Sequence, residues 1–383
     1  MHRGPNVSLP LAIEQQLSVG MNYMFKRKRN SQLIKDAWLD FSERLRWRLF
    51  FSFTESSNDE TYDPDYEVPH SRKGKAPQLP QYLEYGISLG NVFVNKTIRK
   101  IPKDEGSDAY KSFSPKPHQI QEFLVKNEYV ITNTDKNLGI AVSERTWLKE
   151  KCLELLNDEN NYTQIHPLTS IQKLDQKCTK MEVIASKAES FLPNGKQLGN
   201  FLRHLITPPK AKHNVPLFYG IPKIHKEPVK MRPIIPCHSA IQNPAAKYVS
   251  KILKPIIQLA PTIIHGTKDL AIKLSTLKLQ YGRKFYIVTG DVVAYYPNIP
   301  INKCIDIVCE LYLQHYHNGQ TPTDELKLHE ADIFIECLHI ANRELILQYE
   351  DTIYLQKRGL AMGVADSPDL ANLFGWLVVR ELM

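Results

Sequence analysis

The 383-residue sequence has no continuous apolar stretch as long as the ~18 residues that a membrane-spanning helix needs. Its first residues do not lead into the apolar core of a secretory signal peptide. None of the six cysteines lies in a Cys-x-x-Cys pair, which disfavours both a zinc site and a disulfide framework. We therefore expect a protein without a membrane segment, with reduced thiols, located in the nucleus or alternatively in the cytoplasm.

Positive charge, in contrast, is abundant and unevenly placed. The chain carries a net charge of +8, and its 42% apolar and 23% charged composition is typical of a globular protein. Residues 201–260 contain ten Lys and Arg residues against one acidic residue, Glu227, a balance of +9. Such a block is either a solvated face or a polyanion site. The prolines and aromatic residues within it argue against a disordered tail and favour binding of nucleic acid or phosphate.

Charge, proline content and periodicity divide the chain into five segments. They are a helical N-terminal region (1–52), a linker or exposed loop (53–80), an extension with an Asp-Lys hairpin (81–200), a basic region (201–280) and a final mixed region (281–383). Further helices are predicted over 116–126, 147–156, 173–206 with a break near Pro193, 242–258, 267–280, 303–315, 324–345 and 367–383. Hairpins are predicted over 129–142, 215–235 and 345–356, and residues 81–115 have no clear pattern.

The stretch Phe285–Pro300 combines an apolar run with an acidic residue. Its first residues, Phe285–Val288, are aromatic and β-branched and predict a buried strand. Asp291 follows in an apolar setting, where an unpaired carboxylate is unfavourable. A hard divalent cation would keep this carboxylate ionised, and capping of the following helix is the alternative interpretation.

Two further pairs of residues are candidates for a functional site. Lys223 and Arg232 lie on two extended, proline-containing segments of a predicted curled hairpin, and together they offer the point charge and the rigid donor fork that suit a triphosphate. Asp135 and Lys136 lie at the tip of an earlier hairpin, where turn chemistry is the default interpretation.

Four stretches, in the same order, resemble motifs of the reverse transcriptases of Penelope-like retroelements. Thr134–Val142 is similar to the Asp-Lys-Gly hairpin of that family, and Phe218–Lys226 with Arg232–Ile234 is similar to its pair of fingers motifs. Gly290–Pro300 is similar to the first palm motif, and Gly359–Pro368 with the following Ala-Asn-Leu-Phe is similar to the second. The resemblance covers about residues 115–383.

The resemblance implies an α+β fold, a right-hand polymerase with fingers and an incomplete palm behind a helical N-terminal region. In this palm, a strand over Phe285–Val292 would pair with a sheet that is backed by the helices 303–315 and 324–345. The implied activity is RNA-directed DNA synthesis with two Mg²⁺ ions, an RNA template, a DNA primer and deoxynucleoside triphosphates. Asp291 and the carbonyl of Val292 would face the metals, and Tyr296 would lie under the incoming sugar and exclude a 2′-hydroxyl. The other implied contacts are Lys223 and Arg232 to the phosphates, Met362 and Gly363 to the nascent base pair, and Lys136, Lys210, Lys212, Lys226 and Lys230 to nucleic acid.

The family motif with two adjacent aspartates has no counterpart here, because the sequence contains no Asp-Asp dipeptide. We therefore expect a fragment that ends before this motif and that is inactive as an isolated polymerase. The alternative is a non-catalytic RNA- or DNA-binding protein derived from a reverse transcriptase, which keeps the basic groove without the chemistry.

Overall fold

The computed structural model describes residues 1–18, 31–54, 79–100, 115, 117–193, 195–206, 214–277, 284, 286 and 288–382. The chain forms two compact units: a first unit of Met1–Glu150 with Ile221–Arg232, and a second unit of Lys151–Gly220 with Pro233–Met383. The predicted basic segment 201–280 thus contributes to both units. Within the described ranges, no helix is long and apolar enough to cross a membrane.

The first unit combines helices with a three-stranded sheet. Its elements are β1 (His2–Arg3), α1 (Leu11–Ser18), α2 (Ser31–Thr54), α3 (Gln81–Lys100), α4 (Pro117–Lys126), β2 (Tyr129–Asn133), β3 (Ile140–Glu144) and the start of α5 (Arg145–Leu156). Helices α1 and α2 lie in the predicted helical N-terminal region 1–52, whose first residues form the strand β1 instead. Helix α3 occupies a stretch that shows no clear pattern in the sequence, and most of the predicted linker 53–80 lies outside the described residues.

The predicted hairpin of β2 and β3 is confirmed. The two strands pair antiparallel, with Ile131 opposite Val142, and β1 adds in parallel on the other side of β3. The buried Val142 packs with apolar residues of α1 and α4, including Leu17 and Ile120. This small core fixes the hairpin and therefore the position of its tip.

Most of the remaining elements lie in the second unit, whereas the strands β5 (Tyr219–Lys223) and β6 (Lys230–Ile234) are divided between the two units. The elements of the second unit are β4 (Tyr162–Ile165), α6 (Pro167–Phe191), α7 (Gly195–Arg203), α8 (Asn243–Leu259), α9 (Thr267–Ser275), α10 (Tyr295–Asn298), α11 (Ile301–His317), α12 (Glu325–Asn342), β7 (Leu345–Tyr349), β8 (Thr352–Gln356) and α13 (Ser367–Leu382). The chain leaves this unit within β5 and returns within β6, and these two strands pair as the predicted hairpin. The predicted helices from 173 onwards are confirmed, with boundaries shifted by a few residues.

Helix α12 is the centre of the second unit. It packs against α6 and α8, and its Phe334 is fully buried and stacks on Tyr312 of α11. The buried Lys177 of α6 donates from Nζ to the carbonyl of Arg343, 2.7 Å away, just beyond the C-terminal end of α12. A cation at this end of a helix is stabilised by the helix dipole, although burial lowers the pKa of Lys177 to about 8.

A three-stranded antiparallel sheet in the order β4-β8-β7 lies in the same unit. The predicted hairpin of β7 and β8 is confirmed, with Tyr349 opposite Thr352 at the turn. Strand β4 was not predicted, because its four residues are too short a run to show alternation. The free edge of β7 is covered by the segment before β5, since Phe218 N donates to Gln348 O at 2.8 Å.

The predicted buried strand over Phe285–Val292 is wrong for the residues that the structure describes. Phe285 and Ile287 lie outside them, while Tyr286 and the residues from Val288 to Val292 are in no strand. Tyr286 is 84% exposed and Val288 is 90% exposed. A strand needs a neighbour to satisfy its backbone groups, and none of the described strands pairs with this segment.

Asp366, directly before α13, is an unusual buried acid. It is fully buried, and its Oδ2 accepts a hydrogen bond from Asn342 Nδ2 at 2.6 Å, whereas its Oδ1 has no hydrogen-bond partner among the described residues. Burial raises the pKa of Asp366 from 3.8 to about 7. The ionised form of this side chain is therefore unfavourable in the folded protein.

We expect Asp366→Asn to stabilise the protein at pH 8. Because the pKa of Asp366 is higher in the folded state than in the unfolded state, wild-type stability falls as the pH rises from about 4 to about 7. The variant keeps an acceptor for Asn342, lacks this pH dependence and should exceed the wild type by roughly 1–3 kcal/mol at pH 8.

Urea denaturation at pH 5 and pH 8 measures both differences. The matched control is Asp351→Asn, because Asp351 is exposed in the turn between β7 and β8. This control should retain the wild-type pH profile. An Asp366→Asn profile that also matches the wild type would show that Asp366 does not titrate in this range.

Candidate nucleotide-phosphate site

Arg232 in β6 is held by a carboxylate from the tip of the β2–β3 hairpin. Arg232 Nε lies 2.9 Å from Asp135 Oδ1, and Arg232 Nη2 donates to Asp135 Oδ2 at 3.1 Å. The Asp135 side chain is 8% exposed and the Arg232 side chain 36% exposed. Of these two contacts, only that of Nη2 is a hydrogen bond, because the short Nε contact lacks hydrogen-bond geometry. The ion pair and this one hydrogen bond hold the guanidinium beside Asp135.

The contribution of Asp135 was missed in the sequence, where its position predicted turn chemistry. Asp135 does begin the short 3₁₀ turn that joins β2 to β3, and Thr134 Oγ1 closes that turn by donating to Gly139 O at 2.8 Å. The same turn also directs a buried acid to an arginine 97 residues later. The adjacent Asp and Lys of the motif can be recognised in the sequence. The arginine that pairs with Asp135 cannot be, because no residue near the motif identifies it.

Lys223 in β5 belongs to the same group of charges. Its pKa is lowered by partial burial and by the neighbouring Arg232, while Asp135 acts in the opposite direction. Lys223 forms no ion pair with the residues that the structure describes. The group thus combines two cations with one carboxylate, and it retains a net positive charge suited to an anionic ligand.

The cations predicted to bind nucleic acid differ in how far they can be described. Lys136, Lys226 and Lys230 are exposed in the first unit, and Lys136 has a left-handed backbone conformation, with φ 59°. Lys210 and Lys212 lie outside the described residues. Any role of the three described lysines in binding nucleic acid would come from their positive charge at the surface.

In the second unit, backbone hydrogen bonds bring together three of the predicted nucleotide-binding residues. Leu360 N donates to Tyr296 O at 2.9 Å, and Ile235 N donates to Met362 O at 2.9 Å. Tyr296 and Met362 are both half-buried. The loop from Gly359 to Gly363 is therefore fixed against α10 on one side and against the chain after β6 on the other.

Both glycines of this loop are required by its geometry. A Cβ on Gly363 would lie 2.1 Å from Ile235 O, and a Cβ on Gly359 would lie 2.6 Å from Pro297 Cα. Both residues also have positive φ, 132° and 82° respectively. Only glycine allows this approach without displacing backbone.

Asp291 does not lie in the predicted apolar setting. Asp291 and Val292 are exposed, in irregular chain before α10. Across the described residues, no three His, Cys, Asp or Glu side chains come close enough together to hold a metal ion. A single exposed carboxylate does not by itself fit the two-magnesium site that the resemblance implies.

Chemically, the Lys223–Arg232–Asp135 group can bind a polyphosphate through one point charge and one oriented guanidinium. It offers no nucleophile, and its one carboxylate is engaged by Arg232.

No protein-family model matches the chain, and a search of curated proteins finds no match either. The motifs and their geometry are thus what connects the chain to a function.

We expect Gly363→Ala to destabilise the second unit strongly, by roughly 1–3 kcal/mol from the backbone conformation alone and by more from the contact with Ile235. Gly266→Ala is the matched control, because a Cβ there meets nothing within 4 Å. Urea denaturation of both variants gives the comparison. Equal stability of the two variants would contradict the proposed close packing of the loop.

Proposed function

We propose that the chain is the fingers region and part of the palm of an RNA-directed DNA polymerase, and that Lys223 and Arg232 bind the phosphates of a deoxynucleoside triphosphate. The observation that carries the proposal is the orientation of Arg232 by Asp135 next to Lys223. In nucleotidyl transfer the primer hydroxyl attacks the α-phosphate and pyrophosphate leaves, so negative charge grows on the leaving group. Two cations at the outer phosphates stabilise that charge.

The second unit supports the same proposal through Tyr296, Met362 and Gly363. Tyr296 is far from Met362 and Gly363 in sequence, yet Leu360 N donates to Tyr296 O and brings α10 to the loop that contains Met362 and Gly363. Ile235 N donates to Met362 O and fixes the other side of this loop. In the proposed function this loop borders the base pair and Tyr296 faces the sugar. Rigid placement of such groups by backbone contacts is what discrimination between similar nucleotides needs.

Magnesium enters this proposal as the ion bound to the nucleotide. The described residues gather too few carboxylates to hold two ions themselves. Magnesium-bound triphosphate is still a polyanion, and Lys223 and Arg232 are suited to it for the same electrostatic reason.

A second candidate function is a non-catalytic RNA- or DNA-binding protein. It is favoured by the charge of residues 201–260, where ten basic residues accompany one acidic residue. A protein of this kind binds nucleic acid with strong salt dependence and has no specific need for a nucleotide. The two candidates therefore differ in whether a deoxynucleoside triphosphate binds, and in whether magnesium strengthens that binding.

We expect Arg232→Ala to weaken binding of a fluorescent deoxynucleoside triphosphate about 10-fold or more, because a charge-assisted phosphate contact is lost. Lys223→Ala should have an effect in the same direction. Titration with and without magnesium measures both. Arg46→Ala is the matched control, since Arg46 forms a comparable ion pair with Glu84 in the same unit. Nucleotide binding that is absent, or equally affected by the control, would exclude the polymerase proposal.

We expect Asp135→Asn to weaken nucleotide binding about 3-fold, even though it removes a negative charge from the site. The reason is that Arg232 loses the partner that orients it. In the double variant with Arg232→Ala, the additional loss should disappear, because the two residues act through one contact. Tighter binding by Asp135→Asn would mean that Asp135 only offsets charge and does not position Arg232.

A further inference from the structure

A cavity of about 320 Å³ in the second unit has an unexplained positive lining. It lies where α11 begins, where α12 ends and where β8 leads into the Gly359 loop, and its lining includes Arg343, Lys357 and Arg358. These three exposed cations form no ion pair with the residues that the structure describes. The acidic Glu344 also lines the cavity, but it is engaged by Lys173. The cavity therefore attracts anions.

The loop that carries two of these cations is fixed at several points. Lys357 N donates to Asn161 O at 2.7 Å, and Gln356 Nε2 donates to the carbonyls of Arg358 and Gly359 at 2.9 and 3.1 Å. Gly359 is in turn packed on Pro297. The charged side chains are thus exposed on a backbone that is already ordered, which reduces the entropy lost when a ligand binds.

The start of α11 adds backbone donors to the same cavity. Ile301 and Asn302, the first residues of this 17-residue helix, line the cavity, and the preceding Pro300 provides no side-chain cap. The amide groups of an uncapped first turn favour an anion such as phosphate. They supplement the three cations and do not define the site alone.

A second cavity of about 740 Å³ adjoins the first and shares Arg343 and Glu344 with it. It contributes the exposed Lys180, and the buried Lys177 on its wall anchors the carbonyl of Arg343 at 2.7 Å. The acidic Glu336 also lines this cavity, and it is engaged by Lys187. An isolated phosphate needs only one such cavity. Two adjoining cavities with a shared arginine suit a polymer that carries a negatively charged group on each successive unit.

We propose that these two cavities bind successive phosphates of a single nucleic-acid strand, with Arg343, Lys357 and Arg358 as the contacts in the first cavity and Lys180 in the second. The choice of a nucleic-acid strand among polyanions rests on the proposed function. The site is separate in its residues from Lys223 and Arg232, which are proposed to bind the nucleotide. It assigns a strand-binding role to residues that no motif singled out.

The test uses the whole chain and a fluorescein-labelled 20-nucleotide single-stranded RNA. The double variant Lys357→Ala with Arg358→Ala should weaken RNA binding about 10-fold or more at 0.1 M salt. The slope of log affinity against log salt should fall by about 1.4, because each phosphate contact on a single strand contributes roughly 0.7. Arg358→Lys, which keeps the charge, should retain most of the affinity.

The matched control is Lys196→Ala with Lys268→Ala. It removes the same charge from exposed positions of the second unit that line neither cavity. This control should change affinity less than 2-fold, and thermal unfolding of both double variants confirms that they are folded. Equal losses in the two double variants would overturn the proposal, because net charge alone would then explain binding.

Two competitors test the kind of ligand. Inorganic phosphate at constant ionic strength, or a 20-residue poly-glutamate peptide, should displace the RNA poorly from the wild-type chain. Displacement by phosphate would mean a site for free anions, and displacement by the peptide as effective as by unlabelled RNA would mean a surface for acidic proteins. Either result overturns the strand site.

The proposed nucleotide site can fail independently of the strand site. Titration of the same double variant with a deoxynucleoside triphosphate should give the wild-type affinity. If RNA binding depends on Lys357 and Arg358 while no triphosphate binds to any form, the polymerase proposal fails and the strand site remains. If triphosphate binds but RNA binding is unchanged in the double variant, the strand site alone is excluded.

Discussion

The close approach of backbone to backbone around Gly359–Gly363 is the constraint on which the second unit depends. Leu360 and Met362 form hydrogen bonds to α10 and to the chain after β6, and neither contact could form if Gly359 or Gly363 carried a side chain. Because backbone groups make these contacts, the positions of Tyr296 and Met362 are set by the path of the chain and not by neighbouring side chains. Lys357 and Arg358 directly precede this loop and line the basic cavity, so the order of the loop extends to that cavity.

Elements that depend on local signals could be predicted from the sequence. The β2–β3 and β7–β8 hairpins each combine two apolar strands with a polar turn, and the long helices have regular apolar spacing. The strand predicted over Phe285–Val292 had the same local signal, with aromatic and β-branched residues. It failed because a strand also needs a neighbour, and sequence composition does not show whether one is present.

The residues of the candidate site likewise include some that could be predicted from the sequence and some that could not. Lys223 and Arg232 could be identified from their residue types on a predicted hairpin, and the structure places both in one group of charges. Asp135 could not be identified as the partner of Arg232, since 97 residues separate them. The expected apolar setting of Asp291 depended on the strand before it, so that prediction failed together with the strand.

The ion pair of Arg232 need not oppose phosphate binding. Asp135 contacts Nε and Nη2, which is one edge of the guanidinium, and a guanidinium has five N–H donors in total. A planar group of this kind can keep a carboxylate partner while it contacts a phosphate, and the ion pair holds the group in place as the ligand enters. A lysine could not serve both purposes in this way, because its ammonium group has no fixed plane. Arginine at position 232 and lysine at position 223 are thus suited to different tasks, the first to orientation and the second to charge.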